Sequence, residues 1–210
     1  MPLSEPANES MQLSEPASES MQLSEPASES RPLSLHAEVS SALRRWPASD
    51  LGQGALREAF LGFLAARPDA THRSCAPGHI TASAVVLSAD RRDVLLTLHP
   101  RIGRWVQLGG HCEPEDATIA DAALREATEE SGIAGLQIDP SPVHLDVHPL
   151  TCSLGVPTRH FDIRFRVLAP AGAVPAISAE SDDLRFWPVD QLPASCDDGV
   201  RAALAAALHG

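Results

Sequence analysis

The run Arg125-Glu126-Ala127-Thr128-Glu129-Glu130-Ser131-Gly132-Ile133, preceded by Gly109-Gly110-His111-Cys112-Glu113, constrains this chain more than any other feature. On a helix, Glu126, Glu129 and Glu130 stand at i, i+3 and i+4, so their carboxylates project from one face on adjacent turns. Like charges at that spacing destabilise a helix by about 0.2–0.5 kcal/mol per pair, a cost that a hard cation with oxygen ligands reverses. A divalent-metal site is one reading of the cluster and a solvated acidic face is the other; the glutamates alone do not choose between them. The boundaries of the helix are marked. Thr118-Ile119-Ala120-Asp121 has the form of a capping box, which starts the helix near Ile119, and Gly132 is a suitable terminator.

The order of residues resembles the signature of the Nudix hydrolases: a glycine turn, a helix carrying Arg-Glu-x-x-Glu-Glu, then x-Gly and an aliphatic residue, here R-E-A-T-E-E-S-G-I. The resemblance implies an α+β fold, an α/β/α sandwich around a mixed sheet. It also implies Mg2+ or Mn2+ held by Glu126, Glu129 and Glu130, joined by the backbone oxygen of Gly109. One departure stands out. The family's usual glutamate, eight residues before the arginine, falls here on Ala117, and its glycine, six residues earlier still, falls on His111. A one-residue insertion between Gly110 and the helix, within Glu113 to Ala117, accounts for both and leaves the metal carboxylates in place. The buried partner the family gives its arginine is then Glu115, Asp116 or Asp121; Asp116 is the choice made here, with an ordinary surface ion pair to Asp121 as the competing reading.

Nudix enzymes hydrolyse a nucleoside diphosphate linked to another moiety, with water attacking phosphorus. The resemblance therefore implies a small-molecule nucleoside diphosphate derivative as substrate, with Glu129, Glu126 and Glu130 as the catalytic carboxylates. It makes Glu129 the first choice of general base and Glu180, in a later loop, the runner-up. Arg101 and Arg104 precede a short strand where a substrate phosphate can approach, and His111 adjoins the glycine turn. On a strand His160, Asp162, Arg164 and Arg166 share one face, while Phe161, Ile163 and Phe165 turn to the core. Arg164 is the substrate candidate on that face, against the plain alternative of a solvated sheet surface. Two readings of another class stand beside the hydrolase: an inactive Nudix domain that binds a nucleotide-like ligand, and an enzyme like isopentenyl-diphosphate isomerase, which needs a cysteine and a glutamate for proton transfer. Trp105, Trp187 and Phe161 are the aromatic residues available for base stacking, and each serves equally well as core.

With 210 residues, the chain has room for one ordinary domain and appendages. Its formal charge is −12 and every basic side chain is arginine, which argues against nonspecific nucleic-acid binding. Local arginines and metal ions still permit a phosphate ester. Cys75, Cys112, Cys152 and Cys196 are widely spaced without a C-x-x-C pair, as suits free thiols in a reducing cytoplasm. No signal peptide or membrane-spanning run is evident, so the expectation is a cytoplasmic protein without a membrane partner; a homodimer is allowed.

The chain divides into residues 1–34, an acidic decapeptide-repeat tail; 35–78, a helical extension and connecting loop; and 79–210, the hydrolase domain. The tail repeats MPLSEPANES, MQLSEPASES, MQLSEPASES, and its sparse apolar content leads one to expect disorder. Apolar residues at helical spacing, Val39, Leu43 and Trp46, then Leu51, Leu56, Phe60 and Leu64, are separated by Pro47 and read as a helical hairpin packed on the domain. His72, Cys75 and His79 follow. They lack a fourth partner and a standard zinc spacing, and a Pro-Gly turn in a connecting loop is the better reading. Strands are expected at 80–88, 94–100, 105–108, 143–149, 159–168 and 184–189, with a closing alanine-rich helix near 198–208.

Overall fold

The computed structural model describes Met1, residues 34–151, Gly155, 157–178 and 181–209. Residues 2–33 of the decapeptide-repeat tail lie outside the described residues, as do Cys152 and Glu180. Two helices come first, α1 (Leu35–Arg45) and α2 (Leu51–Ala66). Then follow β1 (His79–Leu87), β2 (Asp93–His99), β3 (Arg104–Val106), β4 (Leu108–His111), α3 (Ile119–Ser131), β5 (Gln137–Thr151), β6 (Pro157–Leu168), β7 (Asp183–Pro188) and α4 (Asp198–His209).

The strands form one mixed sheet in the order β3-β2-β1-β6-β5, with β4 paired to β1 and β7 to β2. β1 and β6 run parallel, and the other pairs are antiparallel. The expected third strand at 105–108 is two strands, because the chain changes neighbours at Gln107: Arg104–Val106 pairs with β2, and Leu108–His111 crosses to β1. The glycine turn is therefore itself a strand, held by the ladder Thr81↔His111 to Ala84↔Leu108. β5 begins earlier than 143 and carries two register shifts between Ile138 and His144, irregularities that the alternation alone does not reveal.

Alternation on the strands sends side chains to two helical layers. Ile80, Ala82, Ile163 and Phe165 face α1, α2 and α3 and share a core with Val39, Leu43, Phe60, Leu64, Ile119 and Ala123. Val85, Leu87, Val94 and Leu96 face the other way and pack on Val200, Ala203, Leu204 and Ala207 of α4. α4 covers only one end of that second face. The rest of it, carrying His79, Thr81, Ser83, His160, Asp162 and Arg164, opens as a cleft.

The N-terminal helices are tied to the domain by more than apolar contact. Gln53 accepts from Leu145 N at 2.7 Å and donates to Leu145 O at 3.1 Å, so its amide mimics a neighbouring strand against the edge strand β5. Phe63 stacks on Phe161 with ring centroids 4.1 Å apart. Glu38 of α1 accepts from the Ile119 N–H at 2.9 Å, adding an anionic cap where α3 begins. The capping box supplies its own bonds there, Asp121 N to Thr118 Oγ1 and Thr118 N to Asp121 Oδ2, each 3.0 Å. Gly132 closes the helix in the left-handed conformation at φ 65°.

Candidate active site

The glycine strand works because it lacks side chains. Gly109 has φ 151°, a conformation other residues rarely adopt, and a Cβ there would lie 2.5 Å from Ser83 Oγ. At Gly110 a Cβ would lie 2.6 Å from the carboxylate carbon of Glu126. The vacant volume is what lets Glu126 stand directly against β4, one turn from Glu130, whose Oε2 accepts from Gly109 N at 3.0 Å. Glu129 points outward, its side chain 61% exposed.

Arg125 organises this end of α3. Its Nε and Nη2 contact the two oxygens of Asp116 at 3.0 and 3.1 Å, a bidentate pair. Its Nη2 also reaches His111 O at 2.9 Å, and its Nη1 reaches Glu126 at 3.0 Å and Glu129 at 3.3 Å. Asp116 is buried and accepts a further bond from Glu113 N at 2.7 Å. Of the three acids weighed as its partner, Asp116 meets Arg125 in this bidentate fork; Asp121 is occupied at the helix cap. The hydrogen bonds it donates to Asp116, against the opposing effect of burial, push the Arg125 guanidinium further towards its charged form. A ligand set drawn from Glu126, Glu129, Glu130 and the Gly109 carbonyl would be all oxygen, as Mg2+ or Mn2+ prefers, and the space at Gly110 lets the Glu126 carboxylate reach the strand.

Beside the glycine strand lies a cleft of about 860 Å³. Arg101, Arg104, His111 and Arg164 all line it, together with Gly109 and Gly110; the three glutamates stand behind that strand, on α3. Arg101 and Arg104 are exposed at its rim. Arg164 is different. Only 3% exposed, it directs Nε to Asp162 at 2.8 Å, Nη2 to Asp146 at 3.0 Å and Nη1 to the Gly199 carbonyl at 2.7 Å.

The sheet face for which solvated surface was the alternative reading is instead the buried floor of this cleft. Asp162 is 1% exposed and accepts from Thr81 Oγ1 at 3.0 Å, Ser83 Oγ at 2.8 Å and Gln107 Nε2 at 3.4 Å as well as from Arg164. Burial pushes its carboxyl up, but the Arg164 charge and these hydrogen bonds outweigh that and hold it below the usual carboxylate range. His148 Nδ1 donates to Asp146 Oδ2 at 2.8 Å; burial draws its pKa down, while the Asp146 bond and the Asp162 charge more than offset this and raise it. His160 goes the other way, to about 3, through burial and the neighbouring His111, His148 and His79. His111 falls to about 4 through burial and then Arg73 and His79.

Sequence reasoning did not single out Asp146 or His148, and it did not bring His79 together with His111 and His160. Period-2 alternation in His144-Leu145-Asp146-Val147-His148 was the available signal, but only the pairing of Asp146 with Asp162 and of His148 with His160 joins that face to β6.

The NUDIX domain family model matches residues 77–207, more than half of the chain. The chain belongs to the Nudix family. It is a Nudix-type pyrophosphohydrolase, and the matched span runs from the end of the loop before β1 into α4. Among curated proteins no match was found. Among solved structures, the chain is similar to a Nudix-family hydrolase from Clostridium perfringens, with 20% identity over 62% of this chain and 96% of that one, TM-score 0.46. It is similar to a C. elegans Ap4A hydrolase, 19% identical over 60% of this chain and 93% of that one, TM-score 0.45. A third is the E. coli dihydroneopterin triphosphate pyrophosphohydrolase, 19% identical over 60% and 91%, TM-score 0.48.

Proposed function

We propose that this Nudix protein hydrolyses a diphosphate linkage in a nucleoside diphosphate derivative with the aid of Mg2+ or Mn2+. The observation that carries the reading is the meeting of Glu126 and Glu130 with the side-chain-free strand Gly109–Gly110, whose other side borders an arginine-rimmed cleft. When bound by Glu126, Glu129, Glu130 and the Gly109 carbonyl, the divalent ion neutralises the diphosphate and makes water a stronger nucleophile.

The chain's own groups account for the remaining tasks. Arg101 and Arg104 attract the anionic substrate to the cleft and partly balance its phosphates. Arg125, held by Asp116, restrains Glu126 and Glu129 through one guanidinium nitrogen. Glu129 is the general base: its exposed carboxylate takes a proton from the attacking water as the new phosphorus–oxygen bond forms and the bridging phosphorus–oxygen bond breaks. His111 lies in the cleft wall where a leaving group can touch it. Glu180, the alternative base, lies outside the described residues.

The isomerase-like reading asks for a cysteine poised for proton transfer. Cys112 is the thiol nearest the glycine strand, yet its sulfur turns to Ile80 O at 3.8 Å, and burial with the nearby Asp116 pushes it up to about 12. That disfavours the isomerase. Among the described residues no helix is long and apolar enough to cross a membrane, and the free thiols Cys75, Cys112 and Cys196 support a reducing, cytoplasmic setting.

The test is release of phosphate products from a panel of nucleoside diphosphate derivatives, with and without Mg2+ or Mn2+, alongside Glu129→Gln. Metal-dependent cleavage that falls at least about a hundredfold in the variant is expected. Unchanged turnover in Glu129→Gln refutes the assigned base, and absence of cleavage despite metal binding favours a ligand sensor.

A further inference from the structure

Three histidines from three strands meet at the inner end of the cleft. The parallel register pairs His79 of β1 with His160 of β6, and the antiparallel ladder sets His111 of β4 opposite Thr81, two residues along β1 from His79. Period-2 alternation puts all three side chains on one face. Their rings form a nearly equilateral triangle, with centroids 5.0 Å apart for His79 and His111, 4.9 Å for His79 and His160, and 5.2 Å for His111 and His160.

The Nε2 atoms of all three are buried and have no hydrogen-bond partner among the described residues. A buried polar atom without a partner is costly, so three at one point make a feature that wants a common explanation. His79 is 1% exposed, and its Nδ1 lies 3.4 Å from the Cys75 carbonyl. Donation of an N–H to that carbonyl leaves Nε2 as a bare lone pair, the arrangement by which an outer partner orients a metal-binding imidazole. One potential donor nitrogen from each ring lies within 4.8 Å of the other two. Tetrahedral Zn–N bonds of about 2.0–2.1 Å separate donor atoms by about 3.4 Å, so no spacing has to close by more than about 1.4 Å, within reach of small ring rotations.

We propose that His79, His111 and His160 form a second metal site, distinct from the glutamates of α3, that takes a zinc-class divalent cation. Neutral imidazoles suit Zn2+, Co2+ or Ni2+, whereas Mg2+ and Mn2+ favour the oxygen ligands of the Nudix helix. His111 and His160 line the cleft and His79 lies behind them, so the fourth coordination position opens on the cleft. Three neutral ligands leave both positive charges of the ion uncompensated, and the ligand it takes there is an anionic oxygen such as that of a phosphate, or water. The loop trio His72, Cys75 and His79 is not the site; His79 finds its partners across the sheet, and Cys75 contributes its carbonyl.

The test uses the full, untagged chain, stripped with chelator and titrated with Co2+ in excess Mg2+. One equivalent of Co2+ with the intense visible bands of a four-coordinate ion is expected, retained in a Glu126→Gln, Glu129→Gln, Glu130→Gln protein. His160→Gln and His111→Gln should each weaken Co2+ at least about a hundredfold, exceeding the effect of losing an outer partner. X-ray absorption on the Zn2+-loaded native chain should show three imidazoles, a readout that holds if a histidine variant fails to fold. Unchanged Co2+ binding in both histidine variants, scattering from oxygen ligands only, or no binding beyond the Mg2+-blocked glutamates would each overturn the site.

Discussion

Replacing Arg125 by Met isolates the interaction that orders the end of α3. The substitution keeps the aliphatic stem and removes the fork at 3.0 and 3.1 Å from Asp116, together with the bond to His111 O at 2.9 Å. The Asp116 side chain is only 5% exposed and that of Arg125 20%, so this pair belongs with buried ion pairs rather than with surface pairs worth about 0–1 kcal/mol. Breaking a buried pair from one side costs about 3–5 kcal/mol, because a carboxylate is left without its cation. Asp116 keeps its bond from Glu113 N at 2.7 Å, which puts the expected loss at the lower end, about 3 kcal/mol. Urea unfolding followed by circular dichroism measures this as a lower midpoint at unchanged slope. Asp116→Asn in the same background completes a double-mutant cycle, and a coupling of at least about 2 kcal/mol is expected. A loss below about 1 kcal/mol, or single effects that add to within about 0.5 kcal/mol, would refute the view that this pair organises the site.

Gly110→Ala brings a methyl to 2.6 Å from the Glu126 carboxylate carbon; the flexible acid yields, so stability falls by under about 1.5 kcal/mol while Mg2+ affinity drops at least about tenfold by calorimetry, and an unchanged affinity would remove Glu126 from the ligand set. Phe60, fully buried between the N-terminal helices and the sheet, should cost about 3–5 kcal/mol when cut to Ala, in a single unfolding transition; two separate transitions would show that α1 and α2 fold apart from the domain. Asp69 has its pKa lowered to about 2, first by hydrogen bonding to Arg67, with burial opposing. Its folded value lies below the ordinary 3.9 or so, so the stability it contributes is present above that pH and is lost as pH falls through about 2. Carbon NMR titration should find that low midpoint, and Arg67→Gln should return it towards the ordinary value; a midpoint insensitive to Arg67→Gln would contradict the assigned cause.

Much of the site was legible because it is local. The capping box at Thr118 and Asp121, the i, i+4 placement of Glu126 and Glu130, and the stop at Gly132 depend on residues within one helix, and helical geometry converts their spacing directly into position. The inward turn of Ile163 and Phe165 was equally readable from alternation. Alternation also grouped His160, Asp162 and Arg164, yet it could not tell a wet face from a dry one. What buries that face is α4, whose Gly199 carbonyl meets Arg164, and β5, whose Asp146 does the same from eighteen residues away in the chain.

By itself, then, the sequence determined the family, the glutamate helix with its caps, and the sheet-with-helices class, since each rests on short-range spacing that backbone periodicity translates into a face or an end. Tertiary structure alone decided that the chain switches from β2 to β1 at Gln107, that Asp116, favoured by the sequence among three acids, meets Arg125 in a two-point fork, and that His79, His111 and His160 share a corner. Strand register carries no signature within either strand; it is set by which faces are buried together once the whole sheet has assembled, and that is a property of long-range packing.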